Sequence, residues 1–141
     1  MSDTEKPEDL VLADRDPKHL RPELAGAYAH LWLWSRKILG APIFLVEGRR
    51  SDARQDWLYE QGRTRPGLIV THAKAGQSNH QPDSTGLGRA FDFAFKAHEP
   101  WNEKHPWEKV GIEAERIGLE WGGRWPGKKR DLPHLQLPPL R

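Results

Sequence analysis

The 141-residue sequence contains no cysteine, which excludes disulfide bonds and thiolate metal sites. Any transition-metal site must therefore use histidine nitrogens and carboxylate oxygens. Long apolar runs are also missing: no stretch approaches the ~20 residues of a membrane-spanning helix, so membrane insertion is not expected. The acidic start of the sequence, "MSDTEKPEDLVLADRD", lacks the apolar segment of a secretory signal. These absences predict a cytoplasmic chain without a signal peptide.

A strong charge of one sign is absent as well. The sequence has 22 Lys and Arg against 20 Asp and Glu, with a pI of about 9.0. So small an excess, without a helix-turn-helix signal, an RNA-binding aromatic motif or a dense basic run, argues against a nucleic-acid partner. The length predicts one domain over residues 1–141, with residues 1–7 disordered, and we expect a monomer.

Hydrophobic periodicity and turn residues predict alternating helices and strands. In chain order we expect a helix from Pro22 to Gly40, a strand at 42–48, a helix at 51–62, a long loop at 63–88, a phenylalanine-rich strand, a helix at about 103–117, and short strands in "LEWGG" and "HLQL". The last two strands resemble a hairpin. The predicted fold class is therefore α+β, a small antiparallel sheet with helices packed mainly on one face.

Three polar residues interrupt or adjoin these apolar patterns. In "RAFDFAF" the alternation places Asp92 on the face opposite the three phenylalanines, and in "HLQL" it places His134 opposite two leucines. His80 lies near the end of the long loop. Two imidazoles and one carboxylate suit Zn²⁺ and leave a fourth position open, as catalytic zinc sites do. Such a site needs a carboxylate base, for which Asp131 in "DLPH" is the obvious candidate.

Each of these residues also has an ordinary structural interpretation. A loop histidine is usually solvated, a strand aspartate can be held in a salt bridge, and "DLPH" has the composition of a turn. The residues taken alone leave both interpretations open.

Longer motifs resemble those of the LAS-type zinc peptidases, which include VanY-like D-Ala-D-Ala carboxypeptidases and phage L-alanyl-D-glutamate endopeptidases. "SNH" and "GRAFD" are similar to the SxH…GxAxD motif of that family, and "VEGRRSDARQDWLYEQGRTRPGLIVTHAKAGQS" resembles its lead-in. "GLEWGGRW…DLPHLQL" resembles the ending of the endopeptidase branch. The resemblance covers about residues 44–137 and implies a Hedgehog/DD-peptidase-like fold.

The resemblance also implies a role for each matched residue. Zinc would bind His80, Asp92 and His134, and Asp131 would be the general base that later protonates the leaving amine. Arg50 would polarise the scissile carbonyl and stabilise the oxyanion, as a fixed cationic donor can. A surface salt bridge is the alternative for Arg50.

Three further residues are candidates for substrate binding. Ser78 belongs to the SxH motif, Gln55 matches a glutamine of the lead-in, and Trp121 precedes the glycine pair of "WGG". Gln55 is equally explained as a helix-surface residue, and core packing is the default interpretation of Trp121. His72 in "VTHA" is a weaker candidate for the cleft, because loop histidines are usually solvated.

The implied activity is a zinc-dependent endopeptidase that cleaves the L-Ala–D-Glu bond of peptidoglycan stem peptides. We expect a phage-type endolysin that stays in the host cytoplasm until a holin releases it to the cell wall. One alternative is a D-Ala-D-Ala carboxypeptidase. Another is a non-catalytic peptidoglycan-binding module in which zinc is structural; an unliganded carboxylate at Asp131 argues against it.

The sequence departs from the family pattern at two places. His80 and Asp92 are twelve positions apart, which is longer than the family spacing. "QPDST", residues 81–85, therefore resembles an insertion after the ligand histidine, and we expect it to form a rim of the cleft. Arg124 occupies the position of an aspartate in the family ending, which affects the expected details of substrate binding but not the zinc chemistry.

Overall fold

A computed structural model describes residues 12–71, 73–74 and 77–139. Its sheet has four strands, β1 (Ile43–Glu47), β2 (Ala90–Phe95), β3 (Glu120–Trp121) and β4 (His134–Gln136). They pair in the order β1-β2-β4-β3, and every pair is antiparallel. The predicted α+β class and the hairpin formed by the last two strands are confirmed. The predicted disorder of residues 1–7 and the candidate His72 lie outside the described residues.

Three α-helices accompany the sheet: α1 (Pro22–Trp34), α2 (Asp52–Glu60) and α3 (Trp107–Arg116). The Ser51 side chain caps α2 by accepting a hydrogen bond from the Arg54 amide. α3 begins four residues later than the predicted start near 103. Pro106 explains the difference, because the residue before a proline is disfavoured in helical conformation. No helix in the described part of the chain is both long and apolar enough to cross a membrane.

The end of α1 differs from a regular helix. The chain continues as a π-helical turn, Ser35–Leu39, and ends at Gly40, whose φ of 73° is the left-handed conformation typical of a helix stop. The wider turn rotates the following residues away from the 3.6-residue period. Ile38, three residues after the buried Ser35, is therefore 75% exposed, whereas Leu39 packs against the core.

The hydrophobic core lies on one face of the sheet. Phe91, Phe93 and Phe95 of β2 are buried there, as the alternation predicts. α1 contributes Leu24 and Leu31, and the amphipathic α3 contributes Trp107, Val110 and Ala114 to the same cluster. Since the apolar side chains of β2 face α1 and α3, the opposite face of the sheet is left for polar groups.

A β-bulge controls which residues of β1 reach that polar face. Leu45 pairs with Phe93, but the next pair is Glu47 with Asp92, so the register shifts by one residue between them. Strict alternation would have placed Glu47 beside Ile43 and Leu45 in the core. The bulge instead turns the Glu47 carboxylate onto the face that carries Asp92, as bulges beside functional sites often do.

Candidate metal centre

Strand register brings two of the predicted ligands together. Asp92 of β2 pairs directly with His134 of β4, so both side chains lie on the polar face of the sheet. His80 reaches them from the loop that precedes β2. Asp92 Oδ1 lies 3.3 Å from His80 Nε2 and 3.3 Å from His134 Nδ1. One donor atom from each residue lies within 4.8 Å of the other two.

The donor set fits a zinc ion. Asp92 Oδ1 is buried and has no hydrogen-bond partner among the described residues, although two imidazole nitrogens are close to it. A buried oxygen without a partner is costly unless something else satisfies it. A cation held between the three donor atoms would satisfy this oxygen. A ligand set of two neutral nitrogens and one anionic oxygen is common for catalytic zinc.

Hydrogen bonds on the outer side of each imidazole select the nitrogen that faces the site. His80 Nδ1 lies 2.8 Å from the Gly48 carbonyl oxygen, so this nitrogen donates and Nε2 keeps its lone pair for a metal. His134 Nε2 lies 2.7 Å from Gln136 Oε1 and donates to it, which leaves Nδ1 free. The two histidines therefore present different ring nitrogens to one point.

Two further hydrogen bonds fix the orientation of the Gln136 amide. Gln136 Nε2 donates to Glu120 Oε2 at 3.0 Å, and Asn79 Nδ2 donates to Gln136 Oε1 at 3.1 Å. An ionised carboxylate only accepts hydrogen bonds, so Glu120 requires the NH₂ group on its side and turns the amide oxygen toward His134. Sequence reasoning did not find this role for Gln136 and Glu120, although Gln136 follows His134 by two positions in β4 and therefore lies on the same face.

The electrostatics of the centre favour an ionised carboxylate. Burial alone would raise the pKa of Asp92, but the neighbouring His80 and His134 outweigh burial and hold that pKa far below its usual value. Burial lowers the pKa of His134, and the contact with Asp92 more than reverses this, so its net pKa is raised. A proton at His134 therefore competes with a metal ion, and metal binding should weaken at low pH.

Asp131 lies in the same cavity, which has a volume of about 260 Å³ and is also lined by the three predicted ligands. Burial, followed by the charge of Asp92, raises the pKa of the Asp131 carboxyl. Its position depends on Gly122, whose carbonyl accepts the Asp131 amide at 2.9 Å. A side chain at Gly122 would collide with the Asp131 carbonyl oxygen and press on His134 Cβ. This close approach accounts for the first glycine of the "WGG" sequence.

Arg50 is buried and points into the cavity. Its Nη1 donates to Gln55 Oε1 and its Nη2 to Glu47 Oε1, both at 2.9 Å, and Nη2 is 3.9 Å from Asp92 Oδ2. These contacts exclude the alternative of a surface salt bridge. Arg49 lies outside the cavity and is 3.5 Å from Asp14. Glu47, which sequence reasoning missed, therefore holds the predicted electrophilic residue in place.

The three predicted substrate-binding residues occupy different surroundings. Ser78 lines the cavity, and its hydroxyl accepts the His80 amide at 3.1 Å. Gln55 is fully buried behind Arg50 and donates to the Ala73 carbonyl at 2.5 Å, so it holds the arginine and is not part of the cavity wall.

Trp121 differs most from its predicted place. It is 3% exposed, packs against Gly111 and Gly123, and donates through its indole N–H to the Leu132 carbonyl at 2.8 Å. It therefore belongs to the core, as its default interpretation states, and does not line the cavity. The tryptophan in the cavity wall is Trp125, whose ring centre is 4.9 Å from that of His134.

The segment 81–85 does not form the expected rim of the cavity, because none of its residues lines the wall. Gln81 is buried; its side chain donates to Asp52 at the start of α2 and accepts the Ser78 amide at 3.3 Å. Asp83 accepts the Thr85 amide and lies 3.7 Å from Arg21. The segment therefore turns away from the metal centre toward the body of the protein.

Arg124 also lies outside the cavity. Its guanidinium pairs with Glu115 of α3 at 3.0 Å and lies 5.2 Å above the Trp121 ring. The arginine found in place of the family aspartate is therefore held by α3 and makes no contact with the candidate ligands.

The sequence is similar to a known protein family and to a known peptidase. Residues 71–137 match the profile of a family described as D-alanyl-D-alanine carboxypeptidase. The chain is also 39% identical over 111 residues to CwlK, a peptidoglycan L-alanyl-D-glutamate endopeptidase of Bacillus subtilis strain 168. That alignment covers 71% of this chain and 63% of CwlK, so the chain spans less than two thirds of the length of this relative.

Solved structures share the fold. The chain resembles ChiX, an L-Ala D-Glu endopeptidase of Serratia marcescens, with a TM-score of 0.61 and 22% identity, covering 86% of this chain and 83% of ChiX. It also resembles LdcB, an LD-carboxypeptidase, with a TM-score of 0.59 and 23% identity, covering 84% of this chain and 58% of the LdcB chain. At these identities the likeness supports the fold alone.

Proposed function

Because the chain belongs to the LAS-type, VanY-like family of zinc peptidases, we propose that it hydrolyses the L-Ala–D-Glu bond of peptidoglycan stem peptides. The name of CwlK, 39% identical to this chain, supports this choice of bond. The name of ChiX, a structural neighbour, agrees with it. The partner of the protein would then be the stem peptide of the bacterial cell wall.

One observation carries the proposal: three metal-ligand candidates, a partly buried carboxylate and a buried guanidinium line one open cavity. His80, Asp92 and His134 would hold the zinc ion. When bound, zinc would act as a Lewis acid toward the scissile carbonyl and make a water molecule more acidic. A purely structural zinc would not require Asp131 or Arg50 beside it.

The residues of the chain would divide the remaining work. Asp131 accepts a proton from the attacking water as the oxygen adds to the L-Ala carbonyl carbon. It then returns that proton to the leaving nitrogen of D-Glu as the C–N bond breaks. Arg50, fixed by Glu47 and Gln55, donates toward the carbonyl oxygen as negative charge develops there.

A D-Ala-D-Ala carboxypeptidase is the second candidate. The description of the matching family favours it, while the endopeptidase-like ending "WGG…DLPH" and the 39% identity to CwlK favour the first. Both reactions would use the same metal centre, so the site geometry alone does not separate them.

Product analysis separates the candidates. Purified sacculi are incubated with the zinc-loaded protein, and the released material is identified by mass spectrometry. We expect glycan strands that carry free L-Ala carboxyl ends, together with peptides that begin with D-Glu. Release of D-Ala alone would establish the carboxypeptidase, and no product at all would favour a binding module.

The biological setting is also a proposal. We propose a phage-type endolysin that acts as a monomer and remains in the host cytoplasm until a holin releases it; sequence resemblance to the phage endopeptidases supports it. Expression in cells with and without a holin tests it, and we expect lysis only when the holin is present. Lysis without a holin would contradict the proposed route.

A further inference from the structure

A second cavity adjoins the metal cavity. Its volume is about 350 Å³, and it shares Val70, Thr71, Trp125 and Asp131 with the first. The rest of its described wall consists of three consecutive cationic residues, 128–130. Asp131 thus lies at the junction between the metal centre and a cationic surface, which we call the basic subsite.

The three cations of the basic subsite are Lys128, Lys129 and Arg130. All three are exposed, and none forms an ion pair with a carboxylate among the described residues. Arg124, a few residues earlier, is instead neutralised by Glu115 at 3.0 Å. A short 3₁₀ turn, Gly127–Lys129, presents the cations, and Gly127 adopts a φ of 57° there. The subsite therefore carries positive charge that the fold itself does not compensate.

We propose that the basic subsite recognises the free α-carboxylate of the residue on the leaving side of the scissile bond. This inference rests on the proposed function. Asp131 protonates the leaving nitrogen, so the leaving residue must lie beside Asp131. When that residue is D-Glu linked through its γ-carboxyl group, its α-carboxylate is two bonds from the leaving nitrogen. From Asp131 this carboxylate extends naturally into the cavity lined by the three cations.

The chemistry of the subsite predicts selectivity for charge. A stem peptide whose α-carboxyl group is amidated has nearly the same shape but no negative charge. Exposed ion pairs each change affinity by up to about 5-fold, and salt screens them. Several cations around one carboxylate should therefore favour the acid form over the amide by about 5- to 10-fold at low salt.

The test compares two synthetic tripeptides of L-Ala, D-Glu and L-Lys, linked through the γ-carboxyl group, that differ only in having a free α-carboxylate or an α-carboxamide. We expect the wild-type protein to cleave the carboxylate form with the higher kcat/KM. The double variant Lys128→Ala/Lys129→Ala should lower kcat/KM for the carboxylate form more than for the amide form, and so reduce this preference. Lys128→Arg/Lys129→Arg should retain it, as should Lys37→Ala, an exposed lysine that lines neither cavity.

Equal wild-type kcat/KM values for the two tripeptides would overturn the proposal. So would a double alanine variant that slows both substrates by the same factor, because that result indicates a structural effect on Asp131. Calorimetric titration of the same peptides separates this inference from the proposed function. If the protein cleaves neither peptide but binds the carboxylate form more tightly, the basic subsite is supported and the proposed bond is refuted. Equal affinities for the two peptides would refute the subsite.

Discussion

Replacing Gln136 with leucine should weaken zinc binding without touching a metal ligand. The substitution removes the oxygen that accepts the His134 Nε2 proton at 2.7 Å. His134 is 6% exposed, so no bulk water replaces the lost acceptor. The imidazole then has nothing to fix its tautomer, and Glu120 and Asn79 each lose a hydrogen-bond partner.

The expected magnitude follows from these contacts. Loss of an outer hydrogen bond to a metal-bound histidine typically costs ~10- to 100-fold in metal affinity. That range corresponds to roughly 1.4–2.8 kcal/mol of binding free energy. The variant Glu120→Gln should have a smaller effect, because Gln136 keeps its position but can rotate its amide.

Competition with a chromophoric chelator measures zinc affinity directly on the metal-free proteins. Thermal denaturation of the same metal-free samples serves as the control for folding. A Gln136→Leu protein that is folded and binds zinc as tightly as the wild type would refute the argument that Gln136 orients His134.

Three further predictions concern the surroundings of the centre. Arg50→Lys should lower kcat by ~10²–10³-fold with zinc content unchanged, because lysine cannot maintain both contacts of the guanidinium; steady-state kinetics with metal analysis checks this, and an unchanged kcat would contradict it. Burial raises the pKa of Glu47, but hydrogen bonds from Arg54 and Arg50 outweigh burial, so the net pKa is lowered. Ionised Glu47 therefore stabilises the fold above its unfolded pKa of about 4.3, and this contribution is lost as the pH falls through the lower folded pKa. Glu47→Gln should therefore lower Tm at pH 7, and the difference from the wild type should narrow on acidification; a difference independent of pH would refute the linkage. Residues 82–85 line no part of the metal cavity, and their deletion leaves Gln81 in place, so the deletion variant should keep its zinc. Loss of metal from this variant on dialysis would show that the segment supports the centre.

Alternation within single strands was enough to predict part of the centre. Asp92 and His134 each interrupt an apolar strand pattern, and the structure places both on the polar face. Their direct pairing depends on the register between β2 and β4, which no pattern within one strand specifies. Residue type alone made His80 a candidate third ligand, and only the family resemblance favoured this role over that of a solvated loop histidine, because the path of the loop is set by tertiary contacts.

Other features depended on irregular backbone. Simple alternation along β1 would place Glu47 on the core face, and only the bulge turns it toward Arg50. A charged residue at an apparently inward position was the available signal for that bulge. Trp121 and Trp125 flank the same glycine pair, so the sequence does not distinguish them; the close contact of the Trp121 ring with Gly111 of α3 decides which one is buried.

In the proposed mechanism Asp131 acts on the substrate beside a zinc ion that it does not bind. Zinc occupancy and muropeptide release should be measured on the same preparations of Asp131→Asn and Asp92→Asn. Asp131→Asn should keep its zinc and lose ~10²–10⁴-fold in rate, as expected for a missing general base. Asp92→Asn, which alters a ligand, should lose both zinc and activity. An Asp131→Asn protein that digests sacculi at the wild-type rate would contradict the account.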